Sequence, residues 1–155
     1  MSNSALQTNV PQNIFIKQSE KERLNFLPSI TKLFMQFENY VFRLAEELFV
    51  GYKGGCWDFY SVDCNGSTLR IMVPPCNSIA DSVNLKSMGF GRDIPTTAFT
   101  AGIAITMMAL NHFACSERID YNERVHLNDQ YEKLYEYANV HLSETMRKDI
   151  MMFLD

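Results

Sequence analysis

The segment GGCWDFYSVDCNG, residues 54–66, places one carboxylate, that of Asp58, between two large aromatic side chains. A single carboxylate can act as a general base, but it then needs a second polar group that converges on the same atoms. The flanking residues supply none, because Trp57 and Phe59 are both aromatic. We therefore favour a structural interpretation, in which Asp58 accepts hydrogen bonds from backbone N–H groups or from an arginine. The alternative is a small enzyme that uses Asp58.

A second place for chemistry is the pair His112 and Cys115, which lie three residues apart in a segment with helical character. That spacing puts both side chains on one helix face, where a histidine can take the proton of a thiol. A reactive cysteine also needs an accessible, electropositive pocket, whereas this pair ends a very apolar segment. We therefore expect a small apolar thiol and a hydrogen-bonded histidine, with a catalytic dyad as the alternative.

No cofactor or metal site is predicted. The four cysteines show no C-x-x-C spacing, and no two histidines lie one helical turn apart. The glycine-containing segments GYKGG and GFGRD lack the spacing of phosphate-binding loops. The first residues, MSNSALQTNVPQ, contain no apolar stretch typical of a signal peptide. We therefore expect free thiols at Cys56, Cys64, Cys76 and Cys115 and a cytoplasmic location.

The charge distribution disfavours DNA binding and DNA mimicry. The net charge of −4 arises entirely in residues 117–155, with nine acids and five bases, since residues 1–116 hold nine of each. No dense basic patch is available to hold phosphates by counterion release. The acidic excess is interrupted by basic residues and is sparser than the phosphates of DNA. We therefore expect neither direct DNA binding nor imitation of the DNA backbone.

A β-hairpin positions Asp58. Asn65-Gly66 is typical of a two-residue hairpin turn, which places Cys64 opposite Ser67 and Asp58 opposite Val73. One face of this ribbon is apolar except for Asp58, so it is predicted to meet the core. The outer face is polar near the turn and apolar at the open end.

Further segments complete a small sheet. Residues 82–87, SVNLKS, alternate in polarity and predict a third strand, whereas GFGRDIP, residues 89–95, is predicted to be a loop. At the N-terminus, residues 1–18 are predicted to form a flexible tail in which NIFIK can dock as a short extended piece. Residues 19–155 are predicted to form a single domain.

Helices account for most of the remaining chain. Ser19 and Glu22 have the spacing of a capping box, and Pro28 is expected to end that helix or to start the next one. A helix over residues 31–50 follows from the apolar stripe that contains Phe37 and Val41. Residues 98–115 carry no charge and predict a central helix buried on nearly all sides, capped by Asp93 or Thr96. Two further helices complete the chain, the first striped by Leu127, Tyr131, Leu134 and Ala138, the second capped by Ser143 with Met146, Ile150, Phe153 and Leu154 facing inward.

Several short strings occur together in a specific order: ERLNFLP, FENYVF, GGCWDFY followed by NG and MVP, ALNHFA, LYEYANVHLSE and IMMFLD. This ordered set resembles the ArdB/KlcA family of antirestriction proteins from about residue 22 to residue 155. One departure is Ser67, which stands where the family usually has a second glycine after Asn-Gly. The positions that match the family motif, without an agreed role, are Trp57, Asp58, Tyr60, Asn65, Gly66 and Asn111.

The resemblance implies an α+β fold with a small antiparallel β-meander of about three strands and four to five helices, one central and buried. It also implies a non-enzymatic protein of plasmids, phages and genomic islands that inhibits type I restriction-modification enzymes, directly or indirectly. No cofactor, membrane or direct DNA contact is expected. Besides the enzyme hypothesis, a generic protein-interaction module is the remaining alternative.

Overall fold

The computed structural model describes residues 15–155. In this part of the chain, a short strand is followed by two helices, four strands and three helices. In chain order they are β1 (Ile16–Lys17), α1 (Glu20–Ile30), α2 (Phe34–Leu48), β2 (Asp58–Cys64), β3 (Ser67–Val73), β4 (Ser82–Lys86), β5 (Asp93–Thr97), α3 (Ala98–Ala114), α4 (Tyr121–His141) and α5 (Glu144–Leu154). Antiparallel strands and segregated helices make this an α+β fold, as predicted.

The hairpin has the predicted register. Cys64 lies opposite Ser67 and Asp58 lies opposite Val73. The turn between them has φ values of 51° at Asn65 and 78° at Gly66, which are the left-handed angles that a two-residue hairpin turn requires. The face predicted to meet the core does so through four fully buried side chains: Val62, Leu69, Ile71 and Val73. Asp58 on the same face is half-buried.

The strand predicted over residues 82–87 is present, but its place in the main sheet and the end of the loop predicted over residues 89–95 were wrong. Residues 82–86 form β4, but β4 pairs with β5 in a separate two-stranded sheet, and β5 occupies residues 93–97, whose first part was predicted to be loop. The third strand of the main sheet is β1, which pairs with β2. Helix α3 closes the other edge of that sheet near its open end, because the Thr106 hydroxyl accepts the Met72 N–H at 3.0 Å. Strand β1 has only two residues, which is too short for the alternation of polar and apolar side chains by which a strand is recognised in a sequence.

The N-terminal stretch docks in part. The extended piece expected in NIFIK is present at Ile16–Lys17, and Phe15 is 4% exposed. Phe15 packs edge-on against Phe99 and Tyr137, at centroid distances of 5.4 and 5.2 Å. This stretch therefore packs on the fold, although it was assigned to the tail. Residues 1–14 of the predicted tail lie outside the described part of the chain.

Helix α1 begins as predicted and ends later than predicted. Ser19 and Glu22 form the capping box. Pro28 lies inside the helix, which continues to Ile30, so its predicted role as a boundary was wrong. Proline removes the hydrogen bond to the carbonyl four residues earlier, here that of Leu24. Leu24 is 82% exposed, so water can solvate this carbonyl and the helix can continue.

Helix α3 is the predicted central helix. Thirteen of its 17 residues are buried, and it packs against β3, α2, α4 and α5. Its N-cap is Thr97, whose hydroxyl accepts the Thr100 N–H, rather than Asp93 or Thr96. Gly102 allows the close approach to β3, because a Cβ there would lie 2.6 Å from the Met72 carbonyl oxygen. None of the helices within residues 15–155 is long and apolar enough to cross a membrane.

Helix α4 is connected to the segment between α1 and α2 through Glu123, which is 6% exposed. Its carboxylate accepts hydrogen bonds from the Thr31 hydroxyl and from the Lys32 backbone N–H, the latter at 3.0 Å. Both donors lie between α1 and α2, so we call this contact the Glu123 joint. Ser143 caps α5 as predicted, and Met146, Ile150 and Phe153 are buried there.

Candidate functional site

Trp57 is the buried support of the motif segment. It is 2% exposed and packs near Phe42 and Phe49, with ring centroids about 6 Å away. Its indole N–H donates to the Tyr52 hydroxyl at 2.9 Å, so its polar atom has a partner. The apolar open end of the ribbon's outer face is thus covered by α2 and by the loop that follows it. Trp57 is held in the core and is not available at the surface.

Asp58 lies next in the chain and is partly exposed, with 24% of its side chain accessible. Its carboxylate faces two cations, with Lys17 Nζ at 3.5 Å and Arg23 Nη1 at 3.8 Å. An arginine is therefore present beside Asp58, but at 3.8 Å it forms an ion pair and not the predicted hydrogen bond. No backbone N–H within residues 15–155 donates to Asp58 in this structure, so the other predicted type of donor is not seen.

Arg23 is the residue that fixes this region, and sequence reasoning missed it. Its Nη2 donates to the Trp57 carbonyl at 3.0 Å, and its guanidinium lies 4.4 Å from the centroid of the Phe59 ring. Phe59 in turn stacks on Phe26, one turn further along α1, at 4.4 Å and 6°. Arg23 therefore joins α1 to β2 by a charged hydrogen bond and a cation–π contact. The only local signal was that Arg23 and Phe26 lie three residues apart on one helix face.

Tyr60 completes the surface, because it lies on the same strand face as Asp58 and pairs with Lys17 in the sheet. Burial raises the pKa of the Tyr60 hydroxyl, and the charge of Asp58 and then Cys76 act in the same direction. The hydroxyl therefore stays protonated at neutral pH and can donate a hydrogen bond. We refer to Lys17, Arg23, Asp58 and Tyr60 as the Asp58 patch. It carries two cations and one carboxylate, so it is positive overall.

The other motif positions lie elsewhere. Asn65 and Gly66 form the exposed hairpin turn, which the seven-residue strand β2 separates from Asp58 by about 20 Å. Asn111 is exposed in the last turn of α3, where its carbonyl accepts the Cys115 N–H at 3.2 Å. The six matched positions therefore form at least two separate regions and not one site.

The candidate dyad on α3 does not form a catalytic pair in this structure. His112 and Cys115 are both exposed, whereas a small apolar thiol and a hydrogen-bonded histidine were expected. The His112 ring stacks on Tyr40 with a centroid distance of 4.1 Å, and no hydrogen bond joins it to Cys115. The four cysteines are free, and within residues 15–155 no three His, Cys, Asp or Glu side chains are grouped to hold a metal ion.

The model of a protein family described as antirestriction protein matches residues 50–155. The chain belongs to this family. The membership predicted from the ordered motifs is therefore confirmed, and the matched region of this antirestriction protein includes β2 to α5.

Two similar proteins extend the comparison. The chain is 29% identical over 125 residues to a protein of Escherichia coli strain K12 named "Uncharacterized protein YafX", covering 79% of this chain and 76% of that one. It also resembles a solved structure of the KlcA and ArdB proteins, with a TM-score of 0.68, 24% identity and coverage of 90% and 94% of the two chains. That structure is described as a novel fold with antirestriction activity against type I DNA restriction systems in vivo but not in vitro. At this identity the likeness establishes the shared fold.

Proposed function

We propose that this protein protects unmodified DNA from type I restriction enzymes in the cell, and that it acts through protein contacts rather than by binding or imitating DNA. The observation that carries this proposal is family membership over residues 50–155, combined with the fold shared with KlcA and ArdB. The activity described for those proteins in vivo is the one expected here. Because that activity is described in vivo but not in vitro, it favours a target or condition that is present in the cell.

The spacing of acidic side chains supports a mechanism without DNA mimicry. Helix α4 has 21 residues and therefore spans about 31 Å. Duplex DNA of that length carries roughly 18 phosphates, at one charge per about 1.7 Å. Helix α4 carries four acids, at Glu123, Asp129, Glu132 and Glu136. This density is far below the one that a DNA-like surface needs.

Part of this acidity is also buried or paired within the fold. Glu123 is buried in the joint with Thr31 and Lys32. Asp129 pairs with Lys133 at 2.8 Å. Such residues do not present a free row of negative charge to a DNA-binding groove.

We assign the protein contact to the Asp58 patch. Its most exposed member is Lys17, with 58% of the side chain accessible, while Arg23 is held against the Trp57 carbonyl. An excess of cations over carboxylates at a rigid site suits an acidic surface on the partner. The enzyme hypothesis receives no comparable support, because Asp58 is engaged by cations and His112 is stacked on Tyr40.

A plating assay tests the function. Unmodified phage is plated on a host with a type I restriction system, with and without this protein, and on a host without restriction. The protein should raise plating efficiency only on the restricting host. Equal efficiency with and without the protein, at verified expression, would refute the proposed function.

A charge reversal tests the proposed surface. Lys17→Glu should lower protection, because it places an acid where the partner is proposed to be acidic. Lys148→Glu is the matched control, since Lys148 is exposed on α5 away from the patch. Full protection by Lys17→Glu would remove the patch from the mechanism.

A gel shift tests the absence of DNA binding. At physiological salt the protein should not bind duplex DNA, and sub-micromolar binding would contradict the mechanism.

A further inference from the structure

A small cavity lies at the other end of β2 from the Asp58 patch. It has a volume of about 120 Å³, opens to the solvent, and is lined by the hairpin and the C-terminal half of α4. Cys64, Tyr137 and His141 contribute to its wall. Neither the family comparison nor the Asp58 patch gives these three side chains a role.

Cys64 has a base beside it. Its Sγ lies 3.9 Å from Nε2 of His141, across 77 residues of sequence. An imidazole at this distance can take the thiol proton, and the thiolate is the nucleophilic form of cysteine. No other cysteine of the four has a histidine within hydrogen-bond distance. Cys64 is therefore distinguished by its neighbour and not by its exposure, since Cys56 and Cys115 are more exposed.

Cys76 shows the opposite environment. Burial raises the pKa of its thiol, and the negative charges of Asp81 and Asp58 raise it further, against a smaller opposing effect of Lys17. Its thiolate is therefore disfavoured. The two half-buried thiols of the fold, Cys64 and Cys76, thus form a natural contrast.

Tyr137 supplies an unused donor in the same cavity. It is 2% exposed, and its hydroxyl has no hydrogen-bond partner among the described residues. Burial, with a smaller effect of Cys64, raises the pKa of Tyr137, so the hydroxyl keeps its proton at neutral pH. Buried polar groups are rarely left without a partner. Tyr137 lines the cavity and lies near Cys64, while its hydroxyl oxygen is hidden from solvent, so this unpaired donor suits an acceptor that forms on the neighbouring cysteine.

We propose that Cys64 is a modification site at which a small hydroperoxide oxidises the thiol to a sulfenic acid, with His141 as the base and Tyr137 as donor to the new oxygen. The cavity has room for this reagent, since a water molecule takes about 30 Å³ and hydrogen peroxide is only a little larger. The proposal is independent of the antirestriction activity.

The reaction balances with the groups that are present. His141 takes the thiol proton, and Sγ attacks one peroxide oxygen, so that the S–O bond forms as the O–O bond breaks. The leaving oxygen takes the proton from His141 and departs as water, or as an alcohol from an alkyl hydroperoxide. The sulfur gives up an electron pair and the peroxide is reduced. The sulfenic oxygen then accepts the hydrogen bond of Tyr137, which had no partner before.

Trapping with dimedone tests the first step. The full chain is treated with limiting hydrogen peroxide in the presence of dimedone, and labelling of each cysteine is followed by peptide mass spectrometry. Cys64 should be labelled about tenfold faster than the more exposed Cys56 and Cys115, and Cys76 should be the slowest. Labelling of Cys64 no faster than that of Cys56 and Cys115 would overturn the proposal.

Variants test the two helper residues. His141→Gln should lower the Cys64 rate to that of Cys56, whereas His126→Gln should leave it unchanged. His126 is a matched control, because it is also exposed on α4 but its ring contacts the Ser29 carbonyl and no cysteine. A parental rate in His141→Gln would overturn the proposal, provided that circular dichroism shows both variants folded.

Tyr137→Phe should keep the rate of Cys64 oxidation and shorten the lifetime of the sulfenic acid. Delayed addition of dimedone measures this lifetime, and an unchanged lifetime would exclude Tyr137 from the site.

Discussion

Replacing Asp58 with asparagine separates a structural carboxylate from one that contacts a partner. The change keeps the shape of the side chain and removes its charge. Asp58 is 24% exposed, and its two cations lie at the long distances of 3.5 and 3.8 Å. Arg23 keeps its bond to the Trp57 carbonyl and its contact with Phe59 in the variant. The loss is therefore limited to two loose ion pairs.

The magnitude follows from this exposure. Partly exposed ion pairs contribute about 0–1 kcal/mol each, and solvent screening lowers the value for the pair with Lys17, which is 58% exposed. We expect Asp58→Asn to cost up to about 1 kcal/mol, or about 2–4 °C in melting temperature for a domain of this size. The larger cost of about 1–3 kcal/mol for leaving buried donors unpaired does not apply, because no such donors are seen at Asp58.

Urea denaturation followed by circular dichroism measures this cost. Asp63→Asn is a suitable control, because Asp63 is an exposed acid on the same strand and accepts a hydrogen bond from Thr68 at 2.8 Å. A loss above about 2 kcal/mol in Asp58→Asn would refute the reasoning from exposure. Plating efficiency of the same variants gives the second result. A stable Asp58→Asn variant that no longer protects would identify Asp58 as a contact residue and reject a purely structural role.

Three further results are expected from stability measurements. Glu123→Ala should cost about 2–4 kcal/mol, because it leaves the buried Thr31 hydroxyl and the Lys32 N–H without an acceptor, and Glu123→Gln should cost less; an Ala variant as stable as the parent would contradict the joint. Leu110→Ala should cost about 2–5 kcal/mol, since Leu110 is 1% exposed on α3, and an unchanged denaturation curve would contradict a central α3. A chelator with a reductant should leave the melting temperature unchanged because the cysteines are free; a fall with chelator alone would reveal a bound metal.

Local signals predicted those parts of the fold that local interactions determine. Asn65-Gly66 fixed the hairpin register, because its backbone angles allow only one pairing of the flanking residues. The capping box of α1, the N-cap Ser143 and the uncharged segment of α3 were equally informative. The pairing of β1 with β2 was missed, although a docked extended piece was expected there, because β1 has only two residues. Strand β5 was missed because it contains Pro95, which is untypical of strands.

The candidate sites were harder to predict because they depend on distant contacts. Arg23 meets the Trp57 carbonyl across 34 residues, and Cys64 meets His141 across 77. The sequence indicated Asp58 and the need for a cation near it, but it could not choose among the arginines. The pair His112 and Cys115 had favourable spacing, yet stacking on Tyr40 turns the histidine to another partner.

The Glu123 joint has a consequence for biosynthesis. Its two sides are separated by 92 residues, so at about 5–20 residues per second Thr31 is made roughly 5–20 s before Glu123. For most of that interval the apolar stripe of α2 also lacks α3, because α3 ends at Ala114 and is made only shortly before Glu123. Until α3 is made, Phe37 and Val41, which are buried in the folded protein, lack this partner in the nascent chain. The connection between α1 and α2 can gain its hydrogen bonds to Glu123 only after most of the polypeptide has been translated.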